Sequence, residues 1–128
     1  EEGDYLAENL QGALPAISLV SHSALITAFS NDVAPDMIFA QQVLGYGKEG
    51  DVLLALSTSG NSRNVLYAVQ VARSLGVATL GMTGAAGGKL LQLAEVVIRV
   101  PETETPKVQE LHLPIYHALC EMLEASLF

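Results

Sequence analysis

Apolar positions in this chain fall into two kinds of run. Short, nearly continuous blocks at residues 14–20, 52–56, 77–82 and 96–100 alternate with stretches in which apolar residues recur every three or four positions. The blocks predict strands and the stretches predict helices. The first strand, 14–20, carries Pro15 at its entrance. A helix over 23–30 follows, capped by Ser21 or Ser23, and Asn31-Asp32 breaks it. Residues 35–44 resume helical spacing through Ile38, Phe39 and Val43. Gly45, Gly47 and Gly50 make a loop before the second strand. Asn61 or Ser62 caps the next helix, which sets Val65, Val69 and Ala72 on one face and ends with Gly76 in a left-handed closing position. The third strand runs into Thr83-Gly-Ala-Ala-Gly-Gly88, a second strand-to-helix turn, and then into a short helix at 89–94. After the fourth strand, Thr105-Pro106 forms an N-cap and first-position proline pair that opens a long helix to about Leu127. Residues 1–9 are acidic and weakly patterned, a tail or the end of a helix.

Strands that are apolar throughout and separated by helices predict an α/β fold, a parallel sheet covered on both faces with right-handed crossovers. The chain divides into an acidic segment at 1–13 and one domain at 14–128. Ligands on such sheets gather beyond the carboxyl ends of the strands. The stretch Asp51-Val-Leu-Leu-Ala-Leu-Ser-Thr-Ser-Gly-Asn-Ser62 is therefore the most informative in the sequence. Its apolar run ends abruptly in hydroxyl residues, glycine and asparagine, and a helix follows at once. The helix N-terminus offers unpaired N–H groups and the positive end of the helix dipole. Ser57, Thr58, Ser59 and Ser62 add hydroxyl donors there. Capping needs only one such residue, and four within six positions point to a bound phosphate. No Walker lysine follows the loop, which argues against nucleotide triphosphate hydrolysis.

Charge sharpens that reading. Fourteen acidic and six basic residues give a formal net charge of −8, which disfavours nucleic acid and anionic membranes as partners. Anion binding in such a chain must rest on local donors. Cys120 is the one cysteine, so no internal disulfide forms, and a reducing cytoplasmic setting is expected. No apolar run is long enough to span a bilayer.

The terminal helix carries two apolar stripes, Val108, Leu111, Ile115, Leu119 and Met122, and Leu113, Tyr116, Cys120, Leu123 and Leu127. A helix apolar over so much of its girth is buried on most sides or packed in an oligomer. Gln109 and His117, eight positions apart, differ in direction by about 80° and both border the second stripe. Pro114 removes one helical hydrogen bond between them. Periodicity alone makes His117 a hydrogen-bonded histidine of a core or interface; the alternative is a proton-transfer base near neutral pH. His112 lies on another face and reads as structural. His22 follows a strand end, but nothing selects it. Asn31-Asp32 reads as a turn, or as a pair that hydrogen-bonds sugar hydroxyls.

Taken together, the hydroxyl loop, Leu80-Gly-Met-Thr-Gly-Ala-Ala-Gly-Gly-Lys-Leu90, Ile98-Arg-Val-Pro101, Val108-Gln-Glu-Leu-His112 and His117-Ala-Leu-Cys-Glu121, with Asn31-Asp32 and Phe39-Ala-Gln-Gln-Val43, resemble the sugar isomerase (SIS) domain family. Within it they are most similar to the branch that isomerises heptose phosphates. The resemblance implies a three-layer α/β/α sandwich of flavodoxin-like kind, and a homotetramer. It implies a phosphosugar-binding domain at 14–128, with Ser57, Thr58, Ser59 and Ser62 on the phosphate, Asn31, Asp32 and Gln109 near the sugar, and His117 as a catalytic base. The implied reaction is aldose–ketose isomerisation of a sugar phosphate such as sedoheptulose 7-phosphate through an enediol. Some family members bind zinc, which names Gln109 and His117 as candidate ligands alongside two others. The family's first strand, its glycine-rich loop and its glutamate-bearing helix have no match before Leu14. A non-catalytic domain that binds a phosphosugar for sensing or partner recruitment is the alternative.

Overall fold

The computed structural model describes all 128 residues. Three parallel strands, β1 (Val52–Leu56), β2 (Ala78–Thr83) and β3 (Val96–Arg99), form one sheet in that order. Leu56 lies opposite Met82, and Met82 opposite Ile98. The other elements are α1 (Glu2–Asn9), α2 (Ser23–Asp32), a single 3-10 turn at Pro35–Met37, α3 (Ile38–Tyr46), α4 (Arg63–Ser74), α5 (Leu90–Leu93) and α6 (Thr105–Leu127). Helices flank the sheet, as the alternating pattern requires.

Because side chains alternate along a strand, Leu53 and Ala55 share one face of β1, and Val52, Leu54 and Leu56 share the other. The first face is the covered one. Ala55 packs with Leu66, Val69 and Leu90 from the two crossover helices. A second cluster joins α3 to α4 and the start of β2 through Val43, Ala68, Ala72 and Val77. Val69 and Ala72 are fully buried, so the stripe read from the sequence is the stripe that packs. Val52, Leu54 and Leu56 remain exposed on the opposite face.

Residues 14–20 correct the sequence reading. They form no strand, and the sheet has three strands instead of four. Leu14, Ile17 and Val20 are exposed. A strand exists only by exchanging backbone hydrogen bonds with a neighbour, and no backbone lies beside this segment. It is tied to the body at Leu19, whose side chain packs against the Val43 cluster and whose carbonyl accepts Gln42 Nε2 at 2.9 Å. Two helix starts also shift by one residue. His22 and not a serine stands at the N-cap of α2, and Glu104 precedes α6, whose Val108 N–H bonds the Glu104 carbonyl at 2.9 Å. Pro106 still lies in the first turn, where its missing N–H has no helical partner to lose. The acidic start is a helix, α1, with no buried residue.

What lets the turns beyond β1 and β2 touch is glycine. Gly60 (φ +67°) and Gly88 (φ +55°) occupy the left-handed region at the two strand-to-helix turns. A Cβ on Gly60 would collide with the Gly87 carbonyl, and one on Gly88 would come within 2.5 Å of the Ser59 carbonyl. Two main chains are in direct contact there, and side chains are excluded on both sides. Gly60→Ala is therefore expected to cost roughly 2–4 kcal/mol, from backbone strain plus the forced separation of the turns. Urea unfolding measures it, and a loss below about 1 kcal/mol would contradict this packing.

Candidate functional site

The hydroxyl loop begins where the ladder ends. Ser57 N–H still donates to the Met82 carbonyl at 3.0 Å, which extends the pairing of β1 with β2 by one residue. The chain then turns: Gly60 N–H donates to the Ser57 carbonyl at 3.0 Å, and α4 starts after Ser62. The Ser57 hydroxyl is buried, donates to the Ser62 hydroxyl at 3.0 Å and accepts the Ser62 N–H at 3.4 Å. One side chain thus ties the end of the strand to the N-cap of the helix. Ser62 makes no cap bond with its own hydroxyl.

Four main-chain donors of this loop have no partner. The N–H groups of Thr58 and Ser59 meet no backbone or side-chain acceptor, nor do those of Arg63 and Asn64 in the first turn of α4. Val65 N–H is satisfied by the Asn64 side chain at 2.9 Å. Free donors at the start of a twelve-residue helix, beside exposed hydroxyls, form a site that favours an anion.

The loop opens into a cavity of about 380 Å³ lined by Leu56, Ser57, Thr58, Ser62, Gln109, His112 and Tyr116. That volume suits a small polar metabolite. One wall is the strand end and loop, and the other is α6. His112 fixes the distance between them: it is only 3% exposed, and its Nε2 donates to the Thr83 carbonyl at 3.1 Å. Val108, one turn earlier, is fully buried against the Gly84 turn. The face of α6 that docks therefore runs through Val108, His112, Ile115 and Leu119. The stripe through Leu113, Tyr116, Leu123 and Leu127 is left exposed.

The structure brings Ser57, Thr58, Ser62 and Gln109 to one cavity. Ser59 stands at its margin, where its hydroxyl accepts the Asn61 N–H at 3.1 Å. His117 is exposed and outside the lining, but its ring stacks on that of Tyr116, with centroids 5.3 Å apart. Asn31 and Asp32 lie at the end of α2, bonded to one another at 2.9 Å and away from the lining residues. His22 faces Tyr46, its Nε2 3.2 Å from the phenol oxygen. As metal ligands Gln109 and His117 stand alone, because the chain nowhere gathers three His, Cys, Asp or Glu side chains around one point. Two donors fall short of a zinc site, so the residues of this chain do not by themselves fit the ion.

Three lining residues were not assigned to the site from the sequence: Leu56, the last residue of β1, and the α6 residues His112 and Tyr116. His112 reads as structural by periodicity, and it is structural through the Thr83 carbonyl, yet the same ring lines the cavity. Its spacing of three from Gln109 and four from Val108 was the available signal. Tyr116 was counted with an apolar stripe, and its phenol is what takes it to a polar cavity.

The comparisons agree with the geometry. A model of the SIS domain matches residues 16–125. The phosphoheptose isomerase of Rhodospirillum rubrum is 47% identical over 126 residues, a match covering 98% of this chain and 66% of the relative. That of Synechocystis is 45% identical over 116 residues, covering 91% of this chain and 60% of the relative. Against the solved phosphoheptose isomerase from Neisseria gonorrhoeae the TM-score is 0.85 at 36% identity, with 88% of this chain and 62% of that one covered. The structure from Francisella tularensis gives 0.84 at 39% identity, covering 88% and 61%. The chain thus spans less than two thirds of the length of each of these four relatives.

A direct check of the four free donors is an amide NMR titration with inorganic phosphate. The resonances of Thr58, Ser59, Arg63 and Asn64 are expected to move most. Shifts spread evenly over the surface, or confined to Lys48 and Lys107, would contradict the assignment of the anion site.

Proposed function

Given that the chain belongs to the SIS domain family, we propose that it binds a sugar phosphate and serves aldose–ketose isomerisation of that ligand, a heptose phosphate such as sedoheptulose 7-phosphate. The observation that carries this reading is the set of unpaired Thr58, Ser59, Arg63 and Asn64 amides beside the cavity-lining hydroxyls of Ser57, Thr58 and Ser62. That the Rhodospirillum rubrum and Synechocystis relatives are phosphoheptose isomerases supports the choice of substrate. Residues 14–128 form the phosphosugar-binding unit.

In this reading the loop holds the phosphoryl group through Ser57, Thr58, Ser59 and Ser62. Anchoring one end of an extended sugar fixes where its carbonyl carbon lies, which converts an encounter into a positioned reaction. Gln109, from α6, hydrogen-bonds the sugar, and Asn31 and Asp32 contribute to the far end of the chain of hydroxyls. His117 takes the proton from the hydroxyl-bearing carbon next to the carbonyl while the carbonyl oxygen gains one, so that an enediol forms; the proton then returns to the former carbonyl carbon as the neighbouring hydroxyl gives up its own and becomes the new carbonyl. Support for His117 is its stacking on the cavity-lining Tyr116 ring. The lining residues include no carboxylate, and among them His112 and Tyr116 carry groups able to move a proton.

The working assembly is a homotetramer in the cytoplasm. The exposed apolar residues of α6, Leu113, Leu123 and Leu127, support self-association. No helix of the chain is long and apolar enough to cross a membrane.

Incubation of the complete protein with ketose phosphates, with analysis for the aldose product, tests the reading. Turnover is expected for a heptose phosphate, and His117→Ala is expected to lower it at least about 100-fold while phosphosugar affinity stays within about threefold. The pair Ser57→Ala and Ser62→Ala is expected to raise Kd about tenfold or more. Binding without turnover would select the sensing or recruiting domain instead. Absence of binding would overturn both.

A further inference from the structure

Anion affinity in this loop depends on where two amide planes point, and nothing in the sheet sets those planes. Past Ser57 the ladder with β2 has ended. Because the peptide unit is planar and trans, each N–H points opposite to the carbonyl of the same unit. Fixing a carbonyl therefore aims the next residue's N–H. The Thr58 carbonyl accepts Gly84 N–H at 2.9 Å, and this contact aims the free Ser59 N–H. The Ser57 carbonyl accepts Gly60 N–H at 3.0 Å, and this contact aims the free Thr58 N–H.

The second contact is only as secure as the Ser59–Gly60 peptide unit that supplies its N–H. Gly60 has no side chain to hold that unit. Its carbonyl end is held by Asn61, whose Nδ2 donates to the Ser59 carbonyl at 3.2 Å. The other end of the same amide faces the second turn, where Asn61 Oδ1 accepts Lys89 N–H at 3.0 Å. Leu90 N–H reinforces the junction by donating to the Gly60 carbonyl at 3.0 Å. Asn61 thus uses a donor and an acceptor at once, one on each turn. It is not among the residues that line the cavity.

We infer that Asn61 is a positioning residue for the anion: its side-chain amide locks the Ser59–Gly60 peptide unit to the Gly84–Lys89 turn and so aims the Thr58 amide at the bound phosphoryl group. The inference rests on the phosphosugar reading above. It explains why an asparagine stands here. Asp would place acceptor against acceptor at the Ser59 carbonyl, and Ser would not reach both turns.

The test is calorimetric titration of the complete protein with inorganic phosphate and with a ketose phosphate, together with steady-state kinetics. Asn61→Ala is expected to raise Kd for both ligands about tenfold, the scale of a hydrogen bond to a charged group. KM rises in step while kcat changes less than threefold, because the loop acts on binding and not on proton transfer. In ligand-free Asn61→Ala the Thr58 amide resonance moves, and its response to phosphate shrinks. Asn61→Asp covers the case in which the alanine variant fails to fold, since it keeps the volume and the bond from Lys89. It is expected to bind weakly at pH 7, where the ionised carboxylate meets the Ser59 carbonyl acceptor against acceptor. Wild-type affinity in Asn61→Ala, or in Asn61→Asp at pH 7, would overturn the inference and leave the phosphosugar reading intact. A wild-type protein that binds neither ligand would defeat the reading itself.

Discussion

The contact between two strand-to-helix turns, main chain against main chain, is the constraint on which the rest of this structure depends. Gly60 and Gly88 let residues 57–62 and 84–89 touch without side chains between them. The sheet fixes how far apart β1 and β2 run, but it ends at Ser57 and Met82. Beyond that point this contact, the bonds across it and the bonds within the loop hold it in shape. A loop so held presents its amides without having to be ordered by the ligand, which saves the entropy that ordering would cost. The position of α6 follows from the same junction, since Val108 and His112 dock on the Thr83–Gly84 end of it.

The chemistry is consistent with the charge of the chain. A protein with a net charge of −8 gains nothing from long-range attraction when it binds an anion. The loop answers with short-range donors: four unpaired amides, a helix terminus and hydroxyls, all neutral. Such donors act over a few ångströms and are weakened little by salt compared with a surface lysine. Arg63, the nearest cation in sequence, is engaged with Asp36 at 3.4 Å across the start of α4. Neutral donors also discriminate by geometry, which suits a site that must place a sugar as well as hold its phosphate.

Much of this was legible in the sequence because local pattern and tertiary role coincide. β1, β2, β3 and α4 sit where apolar runs and helical spacing put them, and Gly76 closes α4 with a φ of +72° as its place at the end of the pattern requires. The hydroxyl loop was readable for the same reason, since strand, polar turn and helix follow one another without interruption. The misreading at 14–20 has a different origin. An apolar run states a wish for burial, and only a neighbouring strand can grant it. His112 was assigned half its role because periodicity reports which face is buried, not that a cavity opens beside it. The part played by Asn61 was hidden for a third reason. One partner, the Ser59 carbonyl, is two residues away, but the other, the Lys89 amide, is 28 residues away, and no spacing rule connects them.

The central claim is that main-chain amides at the end of β1 grasp a phosphoryl group. The most direct measurement is a crystal structure of the complete protein bound to a ketose phosphate. The account predicts phosphoryl oxygens about 2.7–3.1 Å from the Thr58 and Ser59 nitrogens, with the sugar running toward Gln109 and Tyr116. A phosphate seated elsewhere on the protein, with those amides still free or bonded only to water, would contradict it.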